Sequence, residues 1–319
     1  MLTRGFFYAA VMIAVLLVFG LFMSLCFSLM EIDPNAEFGV PLSTIIIFAA
    51  LFGFGGSLIS LFLSKTMVKW GMKVQIIETP SSQDEIWLVD TVKSLAAKKG
   101  VGMPEVGIYP SNEMNAFATG WNRNSALVCV SRGLLSTMSR DECEAVLGHE
   151  MSHVSNGDMV TSSLLQGVLN TFVYATSTAI SMVVAMAAAK GGRNSRGNPV
   201  LFHMIFRLVN SVLQIVFGIG ATMVLMKFSR WREYRADAGA AEAVGADKMI
   251  AALEVLQKGE SAYRSRLERE GADEKDPAVA MPAFCISDPR KVFMGLMASH
   301  PPLNERIRAL KDLKRQRHL

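Results

Sequence analysis

Four stretches of this chain are nearly free of charge, and each is long enough to cross a bilayer. Residues 5–30, 38–64 and 159–189 contain no Asp, Glu, Lys or Arg, and residues 200–226 contain only Arg207, with His203 close by. About 20 apolar residues suffice to span a hydrocarbon core. Composition agrees: 51% of residues are hydrophobic and 19% charged, too apolar for an ordinary soluble enzyme. The net charge of +4 is mild, and no basic tract is interleaved with aromatics, so nucleic acid is not an expected partner. The four cysteines, Cys26, Cys129, Cys143 and Cys285, show no paired spacing. They predict neither a disulfide framework nor a cysteine zinc site, and read as small core residues in a reducing compartment.

Charge at the ends of the runs predicts topology. Arg4 precedes the first run, whose apolar core is too long for a signal peptide and lacks a small-x-small cleavage site before Glu31. Lys65, Lys69 and Lys73 follow the second run. Both ends of this hairpin are therefore expected in the cytoplasm, with the acidic loop 31–37 outside. The third and fourth runs are joined by a basic linker, 190–199, which breaks the positive-inside pattern. This second hairpin is expected to insert fully, lie partly buried in protein, or line a cavity, with Arg207 facing protein or water. In each case it makes an even number of crossings, so the segments flanking it share one side.

Between the hairpins the chain reads as an α+β segment. Residues 80–99 have helical periodicity, with Ile86, Val89, Val92 and Leu95 placed on one stripe. Strand-like pieces follow at Glu105–Tyr109, 116–120 and 126–131, expected to pair antiparallel. Ser139 and Glu142 then form a capping box before a helix that Gly157 can end. After the second hairpin the chain reads as mostly helical: an amphipathic helix over 236–258, a charged loop over 271–277, and a basic last helix over 303–314 opened by Pro301-Pro302.

The helix after Ser139 carries Gly148-His149-Glu150-Met151-Ser152-His153. Residues four apart share a helix face, so both imidazoles can reach one ion. Glu150 falls about 100° round the helix from His149, beside such an ion, where its carboxylate can take a proton from an attacking water. Two neutral imidazoles suit zinc, and a catalytic zinc needs a third protein ligand and an open position. The pattern is a metallopeptidase signature that also arises by chance, as a polar helix face with two ordinary histidines. The metzincin continuation is absent, since Asn156 and Met159 stand where a Gly and a third His would. Beyond the second hairpin, Glu233 and Asp237 lie four apart. One reading makes Glu233 the third ligand and Asp237 the acceptor for the outer N–H of a ligand histidine. The other pairs them with Arg230, Arg232 and Arg235 on a surface helix.

Taken in order, these features resemble the HtpX-type membrane metallopeptidases of bacteria, relatives of the CAAX prenyl endopeptidases. The likeness spans the two N-terminal runs, Asn115-Ala116-Phe117-Ala118-Thr119-Gly120, the His149–His153 motif, the apolar hairpin, Glu233 to Asp237, and Ser299-His300-Pro301-Pro302 followed by Glu305-Arg306-Ile307. It implies a mostly helical α+β protein with a zincin-like domain of the gluzincin type and about four transmembrane or membrane-embedded helices. It divides the chain into an N-terminal hairpin (1–66), the first half of a cytoplasmic zinc peptidase domain (67–157), a second apolar hairpin (158–228) and a C-terminal helical half (229–319). It implies one zinc per chain held by His149, His153 and Glu233, with Glu150 as the base. It also implies endopeptidase action on membrane-protein or unfolded polypeptides at the cytoplasmic face of the inner membrane, in quality control under stress, with other membrane proteases as possible collaborators. In zincins an edge strand holds substrate as an added strand. The segment 115–120 resembles that edge, making Asn115, Phe117 and Thr119 candidates for substrate contact, the alternative being a plain buried hairpin. His300 is expected to cap the last helix rather than steady an oxyanion. Two other functions stay open: a protease for prenylated C-terminal tails, and a non-enzymatic membrane protein that binds or transports metal.

Overall fold

A computed structural model describes residues 51–189, 198–270 and 300–317, with Ser24, Ser28 and Ile47 as isolated positions. The first apolar run, the acidic loop, most of the second run, the basic linker and the loop 271–277 lie outside the described residues. The chain forms two compact units. One holds the described residues up to Ser60 with Thr161–Leu225, and the other holds Leu61–Val160 with the residues from Met226 onward.

A π-helical turn, Leu51–Gly55, leads into α1, Gly56–Gly71, which starts in the first unit and continues into the second from Leu61. The long helices that follow later in the chain are α5, Asp158–Ala189, and α6, Pro199–Val244, both long and apolar enough to cross a membrane. On α6 the usual order of a soluble helix is inverted. Val212, Ile215, Val216 and Ile219 are exposed, while Gln214 turns inward to a polar cavity of about 360 Å³ that it shares with Gln166, Asn170 and Tyr174. An apolar exterior over a polar interior suits lipid, not water. His203 and Arg207 are exposed rather than facing protein. They sit in the first turns of α6, where a long cationic side chain can snorkel to the headgroups.

The second unit is built on a four-stranded sheet of β1 (Gln75–Ile76), β2 (Glu105–Tyr109), β3 (Ala116–Thr119) and β4 (Leu127–Ser131), in the order β1-β2-β4-β3. β3 pairs antiparallel with β4, but β4 pairs parallel with β2, so the expected all-antiparallel arrangement is corrected to a mixed sheet. The reason lies in β4. All five of its residues are buried, as in a central strand covered on both faces, so it slots between β2 and β3 and sends β3 to the edge. On one face Val128 and Val130 join Val106 and Ala116 in the main core. On the other, Leu127 and Cys129 pack with Phe117, Tyr109 and Val68 of α1.

α2, Gln83–Lys99, begins at a capping box of Ser82 and Glu85 and ends at Gly100, whose left-handed φ of 63° a side chain would resist. Its buried residues are Leu88, Val92, Leu95 and Ala96, whereas Ile86 is 45% exposed. Steps of three drift about 60° each round a helix, so the expected stripe begins exposed at Ile86 and reaches the core face only at Val92 and Leu95. α3, Arg132–Thr137, leads to α4, Arg140–Asn156. Past the hairpin come α7, Ala246–Glu270, and α8, Leu303–Arg317. The single helix expected over 236–258 is two, because Gly245 takes φ 100° and breaks α6 from α7.

Candidate metal centre

α4 is held at both ends by its own sequence. Ser139 Oγ accepts from the Glu142 amide, Glu142 reaches back to the Ser139 amide at 2.8 Å, and Gly157 closes the last turn at φ 68°. Between the caps nearly every residue from Cys143 to Val154 is buried, so the motif is carried inside the core. α6 crosses it at Gly239, the residue that permits the approach: a Cβ there would lie 2.7 Å from Ser152 Oγ, and Lys99 Nζ donates to the Gly239 carbonyl at 2.6 Å. Glu233 is six residues, about 1.7 turns, before that crossing, and it arrives beside the histidines.

His149 Nε2 and His153 Nε2 stand 3.1 Å apart. Glu233 Oε2 lies 3.4 Å from the first and Oε1 3.3 Å from the second. Both His149 and Glu233 are almost wholly buried. The outer nitrogen of each imidazole has its own carboxylate. His149 Nδ1 is 2.9 Å from Asp237 Oδ1, and His153 Nδ1 is 2.8 Å from Asp158 Oδ2. Each carboxylate is in turn held by an arginine. Arg306 donates to Asp237 through Nη2 at 2.6 Å and Nε at 2.8 Å, and Arg235 Nη2 bonds Asp158 Oδ1 while stacking on Trp231. With Nδ1–H donating outward, the lone pairs of both Nε2 atoms point at the same place.

The electrostatics follow from this crowding. Burial opposes charge on both imidazoles, yet hydrogen bonds to Asp237 and Glu233 raise His149, and those to Asp158 and Glu233 raise His153 to about 10. Burial likewise opposes the Glu233 charge, but His300 and the two ligand imidazoles hold its carboxyl well below the usual range. A group of carboxylates that draws protons onto two imidazoles also favours a divalent cation in place of those protons. Glu233 Oε2 is buried without a hydrogen bond, although His300 Nδ1 lies 2.9 Å away, off the bonding direction. Two imidazole nitrogens and one orphaned carboxylate, backed by oriented carboxylates, are a donor set that fits zinc. Glu150 is 5% exposed, and burial raises its carboxyl above the ordinary range against the pull of His149 and His153. A shift in that direction makes the carboxylate a stronger base for the proton of an attacking water.

The candidate residues thus divide. His149, Glu150, His153, Glu233 and Asp237 come together. Of the arginines open as partners for Glu233 and Asp237, Arg232 and Arg235 both bond Asp158. Asn115, Phe117 and Thr119 are buried, and Phe117 packs against Tyr109 on the sheet face that carries the α1 cluster. The Asn115 carbonyl accepts from the Ser131 amide, and the ladder's alternation turns residues 115, 117 and 119 toward β4. Among the described residues no strand pairs with the outer edge of β3, whose backbone groups belong to Ala116 and Ala118, with methyls that join the core α4 shares. The His300 imidazole turns to Glu233, its Nδ1 2.9 Å from Oε2, while at the start of α8 the Pro302 carbonyl accepts from the Glu305 and Arg306 amides. Two participants were missed, Asp158 and Arg306. Asp158 had a local signal: it is the one charge between the Gly157 cap and a long uncharged run. Arg306 belongs to the basic last helix, yet it is 0% exposed. Its place between Leu303, Ile307 and Leu310 on the apolar side of α8 was the available clue.

Comparison with known proteins adds the following. The family described as Peptidase family M48 matches residues 82–314. Protease HtpX of Tolumonas auensis is 45% identical over 311 residues, 98% of this chain and 99% of that protein. Protease HtpX of Pectobacterium atrosepticum is 45% identical over 303 residues, 94% of each. The crystal structure of S. mikatae Ste24p superposes with a TM-score of 0.57 at 19% identity, over 86% of this chain, and the chain spans 60% of that one. That last likeness is one of fold.

Proposed function

Because the chain belongs to peptidase family M48, as a metalloprotease of the HtpX type, we propose that it is a multi-pass zinc endopeptidase of the bacterial inner membrane. In this reading its site and both termini face the cytoplasm, and its substrates are misfolded membrane proteins or unfolded polypeptides cleared under stress. The observation that carries the reading is the convergence of His149 Nε2, His153 Nε2 and a Glu233 carboxylate oxygen within 4.8 Å of one another. The orientation is supported by Arg4 and by Lys65, Lys69 and Lys73 flanking the first hairpin.

His149, His153 and Glu233 would hold one zinc, which supplies Lewis-acid chemistry, acidifying a water and polarising a peptide carbonyl. The protein's own residues do the rest. An extended substrate adds to the free edge of β3 through the Ala116 and Ala118 backbone, which aligns the scissile bond without reading its side chains. Glu150 takes the proton of the attacking water and returns it to the leaving amine. Asp237 and Asp158 keep the two imidazoles in the tautomer that presents Nε2.

The test is zinc content and casein digestion in detergent, for the parent chain and Glu150→Gln. The variant should bind zinc as the parent does and lose about 10²–10⁴-fold in turnover, the usual worth of a general base. Parental digestion by Glu150→Gln would remove the base, and a metal-free active parent would remove the whole reading. Side-by-side digestion of a membrane protein and a prenylated peptide separates the quality-control role from action on prenylated tails.

A further inference from the structure

The turn between β3 and β4 is built, not loose. Asn122 Oδ1 accepts from the Asn124 amide at 3.0 Å, the Ser125 amide donates back to the Asn122 carbonyl, and Asn124 Oδ1 accepts from the Gly102 amide. It is also tied to α1, where Lys65 Nζ donates to the Ser125 carbonyl at 3.3 Å and to Glu105 at 2.8 Å. From this fixed turn Trp121 projects outward, 46% exposed, its ring 5.8 Å from that of Phe62, itself 57% exposed. Arg123 beside it is exposed as well. A folded protein in water gains nothing from a paired Trp and Phe held open to solvent by a rigid turn.

The level at which this pair sits is marked along α1. The uncharged run ends at Ser64, and Lys65 is its first charge. Phe62 and Lys65 therefore straddle the place where an apolar helix leaves the hydrocarbon for the headgroups. Tryptophan concentrates there, because its ring is apolar and its N–H needs a wet partner.

We infer that the β3–β4 turn is a membrane anchor: Trp121, with Phe62, inserts into the interfacial layer of the bilayer, and Arg123 meets lipid phosphate. β3 runs from this turn, and its four residues cover about 13 Å. The free edge that receives substrate is therefore hung from the bilayer surface. Segments emerging from the membrane reach it first, ahead of polypeptide free in solution. The consequence for substrate choice rests on the endopeptidase reading above; the anchor itself does not.

The chain has four tryptophans, Trp70, Trp87, Trp121 and Trp231. The full-length chain, with Trp70, Trp87 and Trp231 changed to Phe, is reconstituted in phosphatidylcholine vesicles with or without bromine on the upper acyl carbons. Trp121 emission should fall at least twofold in the brominated lipid. A chain keeping only Trp87, which lies beneath the Arg140 guanidinium, should be unaffected. Equal quenching of the two chains, or none of Trp121, overturns the anchor. A second measurement stands apart from that variant's folding. In the otherwise unchanged chain, Trp121→Asp should digest soluble casein at the parental rate and a vesicle-embedded substrate at least fivefold more slowly. A parental rate on both overturns the proposed link to substrate choice. Loss of both activities alongside intact Trp121 quenching overturns that link too, since the turn would then serve catalysis generally. Absence of activity from the parent itself refutes the endopeptidase reading and leaves the quenching result standing.

Discussion

Removing the charge of Arg306 should loosen the grip on the metal from one helix away. The guanidinium is completely buried and meets Asp237 through two parallel contacts of 2.6 and 2.8 Å, the fork geometry that only arginine supplies. Burial alone would push the Asp237 carboxyl up; Arg306 outweighs it and holds the group below the usual range, with His149 assisting. In Arg306→Met the volume is roughly kept, but Asp237 is left as a buried charge with only His149 to answer it. Breaking a buried pair from one side costs about 3–5 kcal/mol. Part of that cost appears as lost stability and part as a misaligned His149, for which loss of an outer-shell partner is worth about 10–100-fold in metal affinity. The assay is zinc affinity by competition with a chromogenic chelator, alongside thermal unfolding in detergent. Arg306→Lys should fall between parent and Met, since it restores charge but not the fork. Combining Arg306→Met with Asp237→Asn should cost less than the two single changes added, because the second removes the charge that the first had stranded. Parental zinc affinity in Arg306→Met, or strict additivity in the pair, would refute the reasoning.

Two further outcomes follow from the geometry. Glu233→Ala, unlike Glu150→Gln, should purify with little or no zinc, and unchanged metal content would show that another residue completes the site. At Glu105 burial opposes ionisation, but Lys65 and Lys69 prevail and lower its pKa. A lowered carboxylate stabilises the fold above its unfolded value of about 4.3 and loses that contribution as pH falls through the folded value. Hydrogen exchange of the α1 amides after Leu61, corrected for intrinsic rate, should therefore quicken between about pH 5 and pH 3 in the parent. It should not do so in Glu105→Gln, and the same acid response in both chains would clear Glu105 of the role.

What could be read from the chain beforehand was local. The ends of α4 lie in Ser139, Glu142 and Gly157, the ends of α2 in Ser82, Glu85 and Gly100, and the histidine spacing in a single turn of helix. Strand β2 was legible to the residue because its neighbours are turns. The parallel pairing of β2 with β4 was not, since nothing within either strand reports which of two later strands will lie beside it. Gly245 carried a signal, a lone glycine in a helical pattern, which the amphipathic run over it obscured. Arg306 and Asp237 are 69 residues apart, and no periodicity spans that distance. His300 was assigned to its own helix because sequence proximity is a poor guide to where an imidazole at a helix entrance will turn.

Charged residues at both ends of the second apolar hairpin share a destination. Asp158 stands immediately before the second apolar hairpin, and Glu233, Arg235 and Asp237 come soon after it. Asp158, Glu233 and Asp237 meet at the same pair of imidazoles, and Arg235 bonds Asp158. The two ends of a long hydrophobic excursion are thus tied together by the site itself, through charges that would be costly to bury singly and that are mutually satisfied once both ends arrive. Assembly of the metal centre and closure of the hairpin are then one event, and neither half of the peptidase unit has a complete ligand set alone. The sequence separates the ligands by the span of that excursion. A reader scanning for local motifs therefore finds the two histidines and must infer the rest from which side of the membrane each segment occupies.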